Sequence, residues 1–544
     1  MRPSWPNPGG VTCARPYCHI ANLPGPGSYL LKRFALLLLL FTALAGCSVH
    51  YGPRQPSEML PAQSSGLGRQ IMAQSQAHGG QSGFHLLPRS GDAFGARAEL
   101  IHNAQRSIDL QYYIVHDGLS TRALLNELLA AADRGVRVRI LLDDTTSDGL
   151  DDLLAALASH PGVEVRLFNP LHLGRANGMT RGLGRLMNLS TQHRRMHNKL
   201  MIADDSAAVV GGRNIGDEYF DAEPNLNFTD MDLLGTGPVA QQLGYSFDQY
   251  WNSRLSRPIG EVYGAPSSSK ALARLRTDLQ VSLKQAQVKR KALYDRLMAW
   301  QQRPLLDQWR EQLIWANAQV LWDAPSKILS RGEPDPHLLL TTQLAPELLK
   351  VNQELVLVSA YFVPRETGLL YLTGRADAGV RVSLLTNSLE ATDVPAVHGG
   401  YAPYRKALLE HGVKLYELRR QPGDEGKFSY RLHGSSDSSL HTKAIILDQR
   451  KVFLGSFNFD PRSVLWNTEV GVMVDSPQLA HEARALALQG MSPTLSYQVK
   501  LANGQLVWVT EDGGQLHTLT KEPGGWWRSF NAWVSKAVGL ERML

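Results

Sequence analysis

Two stretches of this chain carry the same chemistry-bearing residue types at the same spacing. His197-Asn-Lys199-Leu-Met-Ile-Ala-Asp204 is followed by Gly211-Gly212-Arg213-Asn214, and His441-Thr-Lys443-Ala-Ile-Ile-Leu-Asp448 by Gly455-Ser456-Phe457-Asn458. An imidazole nitrogen can attack phosphorus and carry it as a covalent phosphohistidine. A second imidazole, protonated, can give its proton to the departing alkoxide. Lysine and asparagine N–H donors held in place stabilise the charge that grows on an attacked phosphodiester, so Lys199 and Lys443 are expected in the reacting set, with Asn214, Asn458 and Ser456 at the phosphate. Each stretch supplies one histidine, so the chemistry requires the two to meet. An orienting carboxylate is expected for each imidazole, and Asp230 and Glu469 are assigned, with Asp232 as a substitute for the first. Asp204 and Asp448 stand between two roles: members of the catalytic set, or carboxylates that bond the backbone of their own turn.

The elements that must position these residues repeat. Ala131-Ala-Asp-Arg-Gly-Val-Arg-Val138 matches Arg375-Ala-Asp-Ala-Gly-Val-Arg-Val382, and Gly135 and Gly379, His197 and His441, Asn214 and Asn458 are each 244 residues apart. Three separated landmarks in one register indicate a duplicated unit. Within each copy a strand (107–115; 354–363), a helix (121–134; near 367–378) and a second strand (136–142; 380–386) predict a right-handed crossover with parallel pairing. Each copy is thus an α/β sandwich. Each histidine lies on a strand with its lysine two residues on, hence on the same face. A tight turn and a return strand then bring the asparagine back beside it. The expected organisation is 1–47 a signal peptide, with 1–28 an overlong start or an extended leader; 48–90 a tether; 91–265 the first domain; 266–335 a charged helical connector; 336–490 the second domain; and 491–544 an aromatic and basic extension.

The paired HxKxxxxD motifs, each followed by a small pair and then Asn, resemble the signature of the phospholipase D superfamily over roughly residues 85–490. The resemblance implies an α/β duplicated phospholipase D fold: two sandwich halves about a pseudo-two-fold axis, with the active site between them. It implies a two-step, ping-pong reaction with no metal and no cofactor, with His197 as nucleophile and His441 as acid. Gly212 departs from the serine usual in that family, which the second copy keeps as Ser456. The runs Arg195 to Ile202, Gly211 to Phe220, Leu385 to Asp393 and His398-Gly-Gly-Tyr401 look like the bacterial cardiolipin synthase branch, most like its C type. That branch implies transfer of a phosphatidyl group to phosphatidylglycerol, from phosphatidylethanolamine or phosphatidylglycerol. A hydrolytic phospholipase D using water as acceptor is the alternative, and an envelope nuclease of the same fold a more distant one.

Composition limits the partners. The 544 residues are 43% hydrophobic and 19% charged, a globular balance. The formal charge of +6 falls to 52 basic against 50 acidic residues once residues 1–46 are set aside, so charge gives no support to a nucleic-acid partner. Lys32-Arg33, a twelve-residue apolar run and Leu44-Ala45-Gly46-Cys47 describe a secretory signal ending in a lipobox, too short to span a bilayer. Cys47 is expected to carry lipid. The protein is then anchored in a bacterial envelope on the periplasmic side, with Ser48 mildly favouring the outer membrane. Nothing after Cys47 can form a disulfide. Trp526-Trp527-Arg-Ser-Phe530-Asn-Ala-Trp533 suits a membrane interface or ordinary packing.

Overall fold

The computed structural model describes residues 56–144, 149–170, 194–223, 226–264, 268–420 and 437–525. The signal, the lipobox with Cys47 and the aromatic run from Trp526 lie outside them.

In the first copy the strands Ser107–Tyr112, Arg137–Asp143 and Val163–Phe168 run parallel, joined by helices Leu119–Asp133 and Asp151–Leu157. Leu200–Ala203 adds antiparallel to Ser107–Tyr112, and the sheet continues through Ala207–Gly211, Asp232–Thr236 and Ser82–Leu87. The second copy repeats this order. Lys414–Leu418, Arg381–Asn387 and Glu354–Ser359 are parallel, and Lys443–Leu447, Lys451–Gly455, Val470–Asp475 and Ile314–Trp322 follow antiparallel. The helix stops repeat as well. Gly135 and Gly379 end their helices at φ +90° and +87°, a left-handed turn that only glycine takes without strain.

The two sheets are one. Ile314–Trp322 pairs at its start with Ser82–Leu87 and along the rest of its length with Val470–Asp475, joining the halves into an 18-stranded sheet. This strand falls inside the segment expected to be a helical connector. Helices Ser269–Lys289 and Lys291–Gln301 do occupy the charged part. Beyond Pro304, however, Ile314, Ala316 and Val320 alternate inward while Asn317 and Gln319 do not, the period of a strand. Likewise the segment expected to be a tether holds helix Gly66–Ala77 and the strand Ser82–Leu87 from residue 56 onward. In the C-terminal extension, Ser496–Ala502, Gln505–Asp512 and Gln515–Leu519 lengthen the second sheet.

The cores explain why the halves stay together. One cluster lies in the first half, between its sheet and its outer helices, and another in the second half. The central cluster is shared: Phe84, Leu200, Val210, Leu233, Phe247 and Trp251 pack with Val320, Val356, Ala444, Val452, Val470 and Leu479. Helices Pro238–Trp251 and Pro477–Gly490 supply part of this layer, each touching the strand at the other half's near edge. A fully buried side chain of this size contributes about 1.5–3 kcal/mol, so separation would expose a large apolar face.

Candidate active site

Each histidine precedes a strand and is held there by backbone from the opposite half. Met196 forms a parallel bridge with Thr468, the His197 N–H donates to Thr468 O (2.9 Å), and the Thr468 N–H donates to Arg195 O (2.9 Å). In the counterpart, the short strand Leu226–Thr229 pairs in parallel with Asp437–Leu440, and the His441 N–H donates to Thr229 O (2.8 Å). Thr468 leads directly to Glu469, and Thr229 directly to Asp230.

The carboxylates are therefore crossed. His197 Nδ1 lies 2.9 Å from Glu469 Oε2, and His441 Nδ1 lies 2.8 Å from Asp230 Oδ2. Both carboxylates do meet imidazoles, but each meets the histidine of the other copy. Asp232, the alternative to Asp230, is instead held by Arg97 (2.9 Å) and by the Arg213 N–H (3.3 Å).

The two carboxylates are supported differently. Glu469 accepts from Ser456 Oγ and Ser463 Oγ, and its N–H donates to Asp323 Oδ2, which is paired with the buried Lys327 (3.0 Å). Asp230 accepts the N–H of Met231 (2.7 Å), and Arg213 bonds its carbonyl (2.6 Å). The departure at Gly212 has its reason here, because a Cβ would overlap the Asp230 carboxylate. The Ser456 hydroxyl, expected at the phosphate, is instead committed to Glu469 and to the Val470 N–H (3.0 Å). It acts on the carboxylate.

Both lysines are almost wholly buried and turn back to their own histidine's carbonyl, Lys199 Nζ at 2.6 Å and Lys443 Nζ in the same manner. Tyr113 stands edge-on to His197 (5.0 Å between ring centroids), with Lys199 Nζ 5.2 Å from its ring. Tyr219 stands edge-on to His441 (5.4 Å), with Phe228 at 5.1 Å. Asn214 accepts the Ile114 N–H (3.1 Å) and donates to Tyr219 Oη (2.8 Å), whereas the Asn458 N–H donates to Ser463 Oγ (3.3 Å).

Asp204 and Asp448 lie at the far ends of their strands from the histidines. Asp204 accepts the backbone N–H groups of Gln105, Arg106 and Ser107 (3.0, 2.7 and 3.0 Å). Asp448 does the same for Asn352, Gln353 and Glu354 (3.1, 2.8 and 2.9 Å). Both adopt φ near +50° at the turn. Of their two expected roles the geometry supports the structural one, correcting their inclusion in the catalytic set.

Burial sets the charge states. It pushes both imidazoles well below the usual histidine range, helped by Lys199 and Lys443, which favours their neutral forms. Burial also lowers both lysines, an effect opposed by Glu469 and Asp230. It raises Asp230, and it raises Glu469 to about 7 against the pull of Lys199 and the two serine hydroxyls. An anionic diester brought between the lysines would favour their charged forms and the imidazolium.

Several site residues carry no motif: Tyr113, Ser463, Asp323 and Lys327, while Tyr219 lies in the run Gly211 to Phe220 without having been singled out. Two others had a signal. Asp143 accepts the Met196 N–H (3.0 Å) and Asn387 accepts the Leu440 N–H (2.9 Å), each fixing the residue before a histidine. Asp143 and Asn387 stand in the same 244-residue register as the histidines.

The family described as "Cardiolipin synthase, PLD-like domain" matches residues 98–251 and 345–488. Cardiolipin synthase C of Escherichia coli (strain K12) is 37% identical over 484 residues, covering 88% of this chain and 99% of that protein. Cardiolipin synthase B of Salmonella typhimurium is 26% identical over 390 residues, covering 72% of this chain and 75% of that one. Among solved structures, a phosphatidylserine synthase of Haemophilus influenzae Rd KW20 superposes with a TM-score of 0.54 at 13% identity, covering 87% of this chain and all of that one, a likeness of fold.

Proposed function

Because the chain belongs to the cardiolipin synthase, phospholipase D-like family, and is thereby a phospholipase D-type enzyme of phospholipids, we propose that it moves a phosphatidyl group from phosphatidylethanolamine or phosphatidylglycerol to phosphatidylglycerol. The observation that supports this reading is the crossed pair of histidine–carboxylate contacts within one lysine-lined site.

His197 is the nucleophile. Its Nδ1 faces Glu469, which makes Nε2 the nitrogen that attacks phosphorus, and Glu469 is the carboxylate tied down by two hydroxyls. As the N–P bond forms, the bond from phosphorus to the headgroup oxygen breaks, and that oxygen takes a proton from the His441 imidazolium. Lys199 and Lys443 offset the charge on the phosphoryl oxygens. In the second step neutral His441 takes the proton of a phosphatidylglycerol hydroxyl, whose oxygen attacks phosphorus. The N–P bond breaks, and His197 is released.

The test is direct. Purified protein is incubated with vesicles of phosphatidylethanolamine and phosphatidylglycerol, and the lipids are identified by mass. Cardiolipin is expected, with His197→Ala and His441→Ala reducing it by roughly 10³-fold or more, as loss of a nucleophile or general acid does. Phosphatidic acid as sole product would mean hydrolysis, and DNA cleavage without lipid turnover would overturn the reading. We place the enzyme at the periplasmic side of the bacterial envelope, anchored through Cys47, on the strength of the signal and lipobox sequence. Cells fed labelled palmitate should label the wild type and not Cys47→Ser. Equal labelling would remove the anchor.

A further inference from the structure

One carboxylate near the site has no part in the steps above. Asp393 lies in the loop that leaves the strand Arg381–Asn387, and Tyr361 lies just past the parallel strand Glu354–Ser359, so both loops emerge at the carboxyl ends of neighbouring strands, where α/β sheets bind ligands. That end is the catalytic one, because Ser359 stands opposite Lys443 in the register. Tyr361 Oη donates to Asp393 Oδ2 (2.7 Å), and Asp393 is otherwise exposed. Its charge reaches His441 and Lys443, favouring the protonated form of both, and it reaches Tyr219, whose ring flanks His441.

Such a group is out of place in a site for an anion alone. Glu469 and Asp230 already face the two lysines, so Asp393 is not needed to balance them. Among the described residues no arginine or lysine forms an ion pair with it. An exposed carboxylate there repels an approaching phosphate unless the same substrate also carries a positive charge. The Tyr361 hydroxyl holds one oxygen of that carboxylate and leaves the other to a cation.

We propose that Asp393, positioned by Tyr361, binds the ammonium group of an amino-alcohol headgroup on the His441 side of the scissile bond, and so selects a zwitterionic donor over an anionic one. The proposal rests on the phosphatidyl transfer inferred above, with His441 protonating the leaving headgroup. In an ethanolamine headgroup the ammonium stands two carbons beyond the oxygen that His441 protonates. A glycerol headgroup offers hydroxyl donors to the same carboxylate but gains nothing from its charge, so the distinction is electrostatic.

The experiment measures released ethanolamine and released glycerol from phosphatidylethanolamine and phosphatidylglycerol in mixed micelles, giving kcat/KM for each donor. Asp393→Asn should lower the ethanolamine-to-glycerol ratio about two- to fivefold, the size of one partly exposed ion pair. Tyr361→Phe should lower it less and in the same direction. Added salt should shrink the ratio in the wild type and leave it unchanged in Asp393→Asn. A ratio that does not move, whether both activities fall together or neither does, overturns the proposal. Calorimetric binding of phosphoethanolamine and glycerol 3-phosphate gives a readout that needs no turnover. Selective weakening of phosphoethanolamine in Asp393→Asn supports the assignment even if the wild type transfers neither lipid, and equal weakening or none defeats it.

Discussion

At the scale of single residues, the crossed contact between His197 and Glu469 governs how the site responds to pH. His197 is pushed well below the usual histidine range, so its own protonation lies too low to shape activity near neutrality. Glu469 is raised to about 7. Below that pH it takes a proton and stops being an anionic acceptor for Nδ1–H; above it the pair is set for attack. The acid limb of the kcat/KM profile is therefore expected to fall as pH drops through about 7. Glu469→Gln, which cannot ionise, should flatten that limb and lower kcat by roughly 10²-fold or more. An unchanged limb in Glu469→Gln would assign it to another group. The sequence made these residue types legible because a histidine, a lysine and an asparagine in a fixed pattern have few other reasons to recur. It did not show which imidazole each carboxylate serves, because that depends on a contact across some 270 or 210 residues of chain. Ser456 shows the same limit: its hydroxyl was readable as a donor, and its acceptor was not.

At the scale of elements, the turns behind the histidine strands are anchored by Asp204 and Asp448, which gather three backbone N–H groups each at the start of Ser107–Tyr112 and Glu354–Ser359. Removing the charge from a buried carboxylate of this kind costs about 1.5–3 kcal/mol. Asp204→Asn should thus melt several degrees below the wild type, read by circular dichroism, while the folded enzyme keeps far more activity than His197→Ala. A variant that loses its activity at an unchanged melting temperature would return Asp204 to the catalytic set. Elements with strong period and a clear stop, such as Leu119–Asp133 ending before Gly135, were readable within a few residues. Ile314–Trp322 was not, because its short alternation follows a long charged helical stretch, and only its place between the two sheets makes it a strand.

At the scale of the whole molecule, both halves of the site come from one chain. Equimolar mixtures of His197→Ala and His441→Ala proteins should therefore stay inactive, because neither can lend its intact half without breaking the shared core and the joined sheet. Recovery of activity on mixing would reveal exchange between chains. The 244-residue register foretold the duplication, but the shared central layer left no trace in it, since buried apolar positions look alike whichever half they face. The crossed carboxylates also say something about descent. Two identical subunits around a two-fold axis would exchange such contacts reciprocally, each lending its acid to its neighbour's base. Joined head to tail, the copies need no longer be identical, and a change on one side need not be mirrored on the other. The glutamate with its serine at one histidine, and the aspartate with its glycine at the other, are that freedom already taken up.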